Sequence, residues 1–212
     1  MKTRTALIAL AFLATPAAAQ DAQTEAVPAE EASETFETEQ VTLRTAMGTI
    51  VLEIETERAP VTAANFLRYV EAGRLQHAAF YRSSKAAGDG KGFIQFGLRQ
   101  QPDYVFPPIA HEPTTETGLS HVDGAISMVR SEPGTADADY LIIIGDQPGW
   151  DARGPDDPGY AVFGRVVQGM ETVKTIWNQA IDPDEGDGVL KGEILADDVD
   201  VVGAELTEPG AD

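Results

Sequence analysis

The chain contains no cysteine, so neither a disulfide framework nor a thiolate site can be built from it. Histidine is scarce: His77, His111 and His121 lie scattered along the sequence and would supply a zinc site thinly. Positive charge is scarce too, with 15 Lys and Arg against 35 Asp and Glu and a formal net charge of −20. Phosphate binding needs clustered Lys and Arg, which argues against nucleic acid as a partner. The same balance disfavours an anionic membrane surface, and the acidity reads as a means of staying soluble. Beyond the amino terminus, no apolar run is long enough to span a bilayer.

What is present is a chain of 212 residues, enough for one domain plus extras. Residues 1–19 read as a secretory signal. Lys2 and Arg4 form its basic start, Ala6 to Ala14 an apolar run too short to span, and Ala17-Ala18-Ala19 the small residues before cleavage. The competing reading is an uncleaved anchor. A lipoprotein anchor is excluded, because no cysteine follows. Export across a bacterial inner membrane would place the mature protein in the periplasm without membrane insertion; eukaryotic secretion is the other route. Residues 20–39 carry seven acidic side chains and no Lys or Arg. Such a segment cannot bury enough apolar surface to offset its ordering entropy, so an acidic disordered leader is expected.

Order is expected from about Gln40. Val41, Leu43 and Thr45 alternate with polar residues, Met47-Gly48 reads as a turn, and Ile50, Leu52 and Ile54 alternate again, which is a β-hairpin with one buried face. After Ala59-Pro60, Thr62 is expected to cap a helix that places Phe66, Tyr69 and Val70 on one face and stops near Gly73. Strands follow at Ile126 to Val129, Tyr140 to Ile144, Tyr160 to Val167 and Val199 to Val202. A second helix covers Met170 to Asn178 and buries Val173, Ile176 and Trp177. Short successive strands with just two helices suggest a mainly β protein, a closed barrel with helical caps.

Four segments stand out in order: Phe80-Tyr81-Arg82, then Phe93-Ile94-Gln95-Phe96-Gly97, then Gly124 to Met128, then Gly159 to Val166. With the opening Gly48 to Ile54, Ala59-Pro60 and Asn65-Phe66, this order resembles the cyclophilin family of peptidyl-prolyl cis-trans isomerases over residues 40–206, leaving 207–212 as a tail. The resemblance implies a closed eight-stranded antiparallel barrel capped by two α-helices, with a substrate groove on its outer face. It implies no cofactor and no metal. The implied partners are proline-containing, unfolded or extended polypeptides, handled during folding by a protein expected to be a monomer.

By pattern alone, Arg82 is a surface arginine near a strand end. The resemblance gives it the catalytic arginine's place and gives Gln95 the place of the glutamine that orients it. Phe93, Val129, Leu141 and Trp150 fall at positions of the proline pocket, and Arg130, Asp139 and Tyr160 at positions facing the peptide. The chain departs from the family at several of these: Val129 and Arg130 replace a small residue and asparagine, Leu141 replaces phenylalanine, and Tyr160 replaces histidine. The stretch from Ser83 to Gly92 reads as a longer loop, with an aromatic position of the family falling on Gly92 or inside that loop. A reshaped pocket motivates a rival reading, a binding module or chaperone of the same fold with little turnover. A second rival is an envelope interaction protein acting through the acidic leader.

Other signals reduce to structure. Gly88-Asp89-Gly90-Lys91-Gly92 lacks the Ser or Thr of a phosphate loop and an obvious following helix. His111, Glu112 and His121 read as satisfied polar loop residues. Asp182, Asp184, Glu185 and Asp187 lack the closing glutamate of a calcium loop and read as a solvated turn.

Overall fold

A computed structural model describes residues 35–99 and 101–207; the signal reading, most of the leader and the last five residues lie outside the described residues. Phe36 and Glu37, which the composition assigns to the leader, make defined contacts with the first turn after β2. Thr56 Oγ1 donates to the Glu37 carbonyl at 2.9 Å, and the Glu37 amide donates to the Glu57 carboxylate at 2.9 Å. The Arg58 guanidinium covers the Phe36 ring at 4.7 Å.

The first hairpin joins β1 (Glu39–Thr45) and β2 (Gly48–Ile54), with Val41 opposite Leu52 and Leu43 opposite Ile50. All four are fully buried, because side chains two apart share a face and that face meets the core. The turn is Ala46-Met47, one residue earlier than expected. The Thr45 hydroxyl closes it, accepting from the Met47 amide at 3.1 Å and donating to the Gly48 carbonyl at 2.8 Å.

Helix α1 (Pro60–Glu71) opens on a proline, whose missing amide costs nothing in the first turn. Thr62 is not its cap. It lies inside the helix, and the first-turn donors go instead to Glu112, 50 positions away: its carboxylate accepts from the Val61 amide at 3.0 Å, the Thr62 amide at 2.6 Å and the Thr62 hydroxyl at 2.5 Å. A carboxylate there also complements the positive end of the helix. Glu112→Ala is therefore expected to lower stability by about 1–2 kcal/mol, read as a reduced midpoint in urea with an unchanged slope.

The remaining strands and α-helices are β3 (Ala79–Gly88), β4 (Lys91–Gly97), α2 (Thr114–Thr117), β5 (Ala125–Met128), β6 (Asp139–Ile144), β7 (Val162–Gln168), α3 (Met170–Trp177) and β8 (Ile194–Thr207). The eight strands close in the order β1-β2-β7-β5-β6-β4-β3-β8, and every neighbouring pair is antiparallel. The fold is thus the expected closed barrel with its two longer helices, plus the one-turn helix α2. The last strand runs further than Val202: the Thr207 and Thr42 hydroxyls meet at 2.6 Å. Among the described residues, no helix is long and apolar enough to cross a membrane.

The barrel is packed with side chains. Phe66 of α1 meets Tyr140 edge-on at 5.0 Å and Phe163 at 5.5 Å, while Phe96 lies against Tyr140 at 5.1 Å and Phe80 at 4.7 Å. Val173, Ile176 and Trp177 of α3 join the same core.

Ser83 to Gly92 is not a loop. Its first part continues β3 and its last begins β4, around a tight turn in which Asp89 adopts φ of +49°. The hairpin end docks on α3: the Trp177 indole N–H donates to the Ser84 carbonyl at 2.9 Å, and the Ser83 hydroxyl donates to the Trp177 carbonyl at 2.7 Å. Position 92 has to be glycine, because a Cβ there would lie 2.0 Å from the Ser84 carbonyl oxygen.

Candidate active site

Alternation along the strands builds a second apolar surface on the outside of the barrel. Ile94, Phe96, Tyr140, Ile142 and Phe163 point inward, so Phe93, Leu141, Ile143 and Val162 point outward. With Ala125 they form a separate buried cluster, against which Leu119, Val129 and Trp150 pack while partly exposed. Phe93 and Trp150 meet at 5.4 Å, and Trp150 and Tyr160 at 5.5 Å.

Arg82 stands at one edge of this surface. A register shift between Phe80 and Arg82 interrupts the pairing of β3 with both β4 and β8. The irregularity lets two consecutive residues, Tyr81 and Arg82, reach the same partner. Gln95, directly opposite Arg82, accepts from Arg82 Nη1 at 3.1 Å, and its amide nitrogen donates to the Tyr81 hydroxyl. Tyr81 in turn donates to Asp139 Oδ1 at 3.0 Å. A polar relay thus runs Arg82, Gln95, Tyr81, Asp139, and it orients the Gln95 oxygen towards the guanidinium. Burial pushes the Asp139 carboxyl up to about 6, against the opposing pull of its hydrogen bond from Tyr81. Burial, followed by the charge of Asp139, raises the Tyr81 phenol well above its ordinary range.

On its other side Arg82 meets Glu193, which precedes β8. Glu193 Oε2 accepts from Arg82 Nε at 2.9 Å and from Nη2 at 2.6 Å, and Oε1 accepts from the Ser84 hydroxyl at 2.6 Å. The guanidinium lies 4.8 Å from the centre of the Phe93 ring, against the apolar surface. Reasoning from sequence missed Glu193, Tyr81 and Ser84. Tyr81 adjoins Arg82, whereas Glu193 lies 111 positions away and carries no local signal.

Arg82, Gln95, Phe93, Leu141, Val129, Trp150 and Tyr160 therefore share one outer face. Arg130 borders that face beside Tyr160. Its Nε donates to the Gly159 carbonyl at 3.2 Å, and its guanidinium stacks on the Tyr160 ring at 4.8 Å. Asp139, two positions before Leu141 on the same face of β6, ends the relay. It also walls a cavity of about 460 Å³ whose lining includes Arg99, Val105, Phe106 and Asp137.

Behind Trp150, His121 is fully buried; its Nδ1 meets Asp151 Oδ1 at 2.6 Å and its Nε2 meets the Ser127 hydroxyl at 3.0 Å. Burial holds this imidazole below its ordinary value of 6.5, so it acts as a neutral brace. Among the described residues, no group of three or more His, Asp or Glu side chains could hold a metal ion.

An oriented guanidinium beside an apolar surface on a closed barrel can donate hydrogen bonds to a group laid on that surface, with no nucleophile at its centre. The family model described as cyclophilin type peptidyl-prolyl cis-trans isomerase matches residues 40–196. The chain is 35% identical over 137 residues to peptidyl-prolyl cis-trans isomerase A of Dickeya dadantii, covering 64% of this chain and 70% of that protein. It is 34% identical over 140 residues to the isomerase cyp18 of Streptomyces antibioticus, covering 64% and 81%. A cyclophilin type isomerase of Cryptosporidium parvum, whose crystal structure is solved, superposes with a TM-score of 0.65 at 20% identity, covering 81% of this chain and 99% of that one. The same protein has also been solved in the presence of the dipeptide Ala-Pro. The chain belongs to the cyclophilin-type peptidyl-prolyl cis-trans isomerases.

Proposed function

We propose that this isomerase acts on X-Pro bonds of exported polypeptides in the periplasm and assists their folding, with Arg82 as the group that lowers the barrier. The observation that carries the reading is the Arg82 guanidinium, held between Gln95 and Glu193 at the edge of the surface formed by Phe93, Leu141, Val129 and Trp150.

The chemistry follows from the amide. Rotation about the X-Pro bond must break resonance, at a barrier of about 18–20 kcal/mol. As the bond twists, the proline nitrogen becomes pyramidal and basic. A donor aimed at that nitrogen binds the twisted state better than the planar one, which is differential transition-state binding. Arg suits this role because its charge is permanent and its fork is rigid. The proline ring sits against Phe93 and Leu141, where the lowered dielectric strengthens the hydrogen bond. An acceleration of four decades asks about 5.4 kcal/mol of this arrangement. The export reading rests on Lys2, Arg4 and the apolar run that ends before Ala17-Ala18-Ala19.

The test is to express the whole chain in a bacterium, recover it from the periplasmic fraction, and assay it on an X-Pro peptide and on proline-limited refolding. The expected result is a protein shortened by residues 1–19 that accelerates both reactions. A folded protein that binds the peptide without acceleration would replace the isomerase role with that of a peptide-holding module. A full-length protein retained in the cytoplasm would remove the export reading.

A further inference from the structure

We propose that Glu193 is a positioning residue for the reaction, fixing the Arg82 fork edge-on so that its remaining donors face the proline. The proposal rests on the reading of Arg82 as the donor to the twisting bond.

An arginine side chain carries five N–H donors in a planar fork. Three are committed here. Nε and one hydrogen of Nη2 go to the single oxygen Glu193 Oε2, and one hydrogen of Nη1 goes to Gln95. Two hydrogens remain, one on each terminal nitrogen. A fork held by Gln95 alone can still turn about that one contact. A fork held along its Nε–Nη2 edge as well has its plane and its direction set, which leaves the free donors in one place.

Glu193 is itself tightly placed. Its carbonyl accepts from the Ser83 amide at 2.8 Å, and its amide donates to the Leu190 carbonyl at 3.0 Å. Its second carboxylate oxygen takes the Ser84 hydroxyl. Two of these three attachments come from β3, at the two positions after Arg82, so guanidinium and carboxylate are tied to the same strand. The pair is also shielded: the side chains of Arg82 and Glu193 are 16% and 19% exposed. Charge-assisted hydrogen bonds sheltered in this way are shorter and stronger than neutral or exposed ones. The arrangement serves direction more than charge, since a carboxylate this close offsets the guanidinium's net field while sharpening where its N–H bonds point.

The test compares wild type, Glu193→Ala and Glu193→Gln on one X-Pro peptide, with kcat and KM separated by exchange spectroscopy. Glutamine keeps an oxygen acceptor for the Nε–Nη2 edge, and its amide nitrogen can meet the Ser84 hydroxyl. Glu193→Ala is expected to lower kcat about tenfold or more with KM changed less than about twofold, because a reacting group displaced by an ångström can lose far more than its contact energy. Glu193→Gln is expected to restore most of that loss. A purely structural role would lower stability in both variants and leave kcat of the folded fraction untouched. In the same samples the Arg82 Nε–H resonance should be slow to exchange in wild type and in Glu193→Gln, and fast in Glu193→Ala. If Glu193→Ala does not fold, Glu193→Gln against Ser84→Ala carries the comparison, with Ser84→Ala showing the lower kcat of the two. An active wild type with kcat unchanged in Glu193→Ala overturns the proposal alone. An inactive wild type overturns the donor reading beneath it as well.

Discussion

Arg82→Ala is expected to lower kcat/KM for an X-Pro peptide at least about a hundredfold, the loss seen when one preorganised donor is removed from the place where charge develops. Such a loss corresponds to about 2.7 kcal/mol of transition-state stabilisation. It should fall mainly on kcat, because the apolar surface proposed to receive the proline ring, Phe93, Leu141, Val129 and Trp150, is untouched. Arg82→Lys is the sharper variant. It keeps the charge but has no planar fork to lie between Gln95 and Glu193, and the expectation is that it remains nearly as slow as alanine. A lysine variant close to wild type would mean that charge, rather than direction, carries the rate. Circular dichroism should show an unchanged fold in both, since Glu193 keeps its hydrogen bonds with the Ser83 amide and the Ser84 hydroxyl once its partner is gone. Comparable turnover by wild type and both variants would remove Arg82 from the mechanism.

The parts of this protein that were legible in the sequence are those in which a residue's role is set by near neighbours. The hairpin from Val41 to Ile54 shows itself because a period of two and a buried face coincide. Arg82 and Gln95, singled out by the family resemblance, are 13 positions apart on one hairpin and share a hydrogen bond. What was hidden depends on chain closure. Glu193 reaches Arg82 because β8 returns to pair with β3, and nothing around residue 193 announces it. The cap of α1 escaped notice for the same reason: Thr62 has the right chemistry beside the helix start, but the proline places it inside the helix and the acceptor comes from Glu112. The end of β3 reads as a loop because Lys85, Gly88, Asp89 and Gly90 have the composition of one. Strand pairing there is supported by Trp177 of α3, far along the chain. Gly92 is explained only by the closeness of the Ser84 carbonyl. The contacts of Arg130 with the Gly159 carbonyl and the Tyr160 ring join residues 29 and 30 positions apart, and no local pattern announces them.

The second large effect concerns Asp139. Its carboxyl has an ordinary value of 3.8 and is pushed up to about 6 by burial, so between these values the folded protein holds a proton that the unfolded chain has released. The contribution to stability is therefore fully present below about pH 4 and is lost as pH rises through 6. At about 1.4 kcal/mol per pH unit, the loss amounts to about 3 kcal/mol by pH 7. Asp139→Asn removes the titration while keeping an oxygen to accept from Tyr81. The variant is expected to match wild type near pH 4 and to melt about 5–10 °C higher at pH 7. The difference between the two proteins isolates this one group, because His121, whose depressed value works in the opposite sense, contributes equally to both. A constant difference across pH would show that the carboxyl is not buried as described. The reason to keep an ionised group at such a cost lies in the relay. A carboxylate can only accept, so the Tyr81 hydroxyl has to donate to it and is left to accept from the Gln95 amide nitrogen. With its nitrogen turned to Tyr81, Gln95 can present only its oxygen to Arg82. Asparagine can accept or donate at the same place, so Asp139→Asn permits the reverse order along the relay. Its turnover should fall by a few-fold even as its stability rises, a trade measured by kcat and the melting temperature on the same preparation.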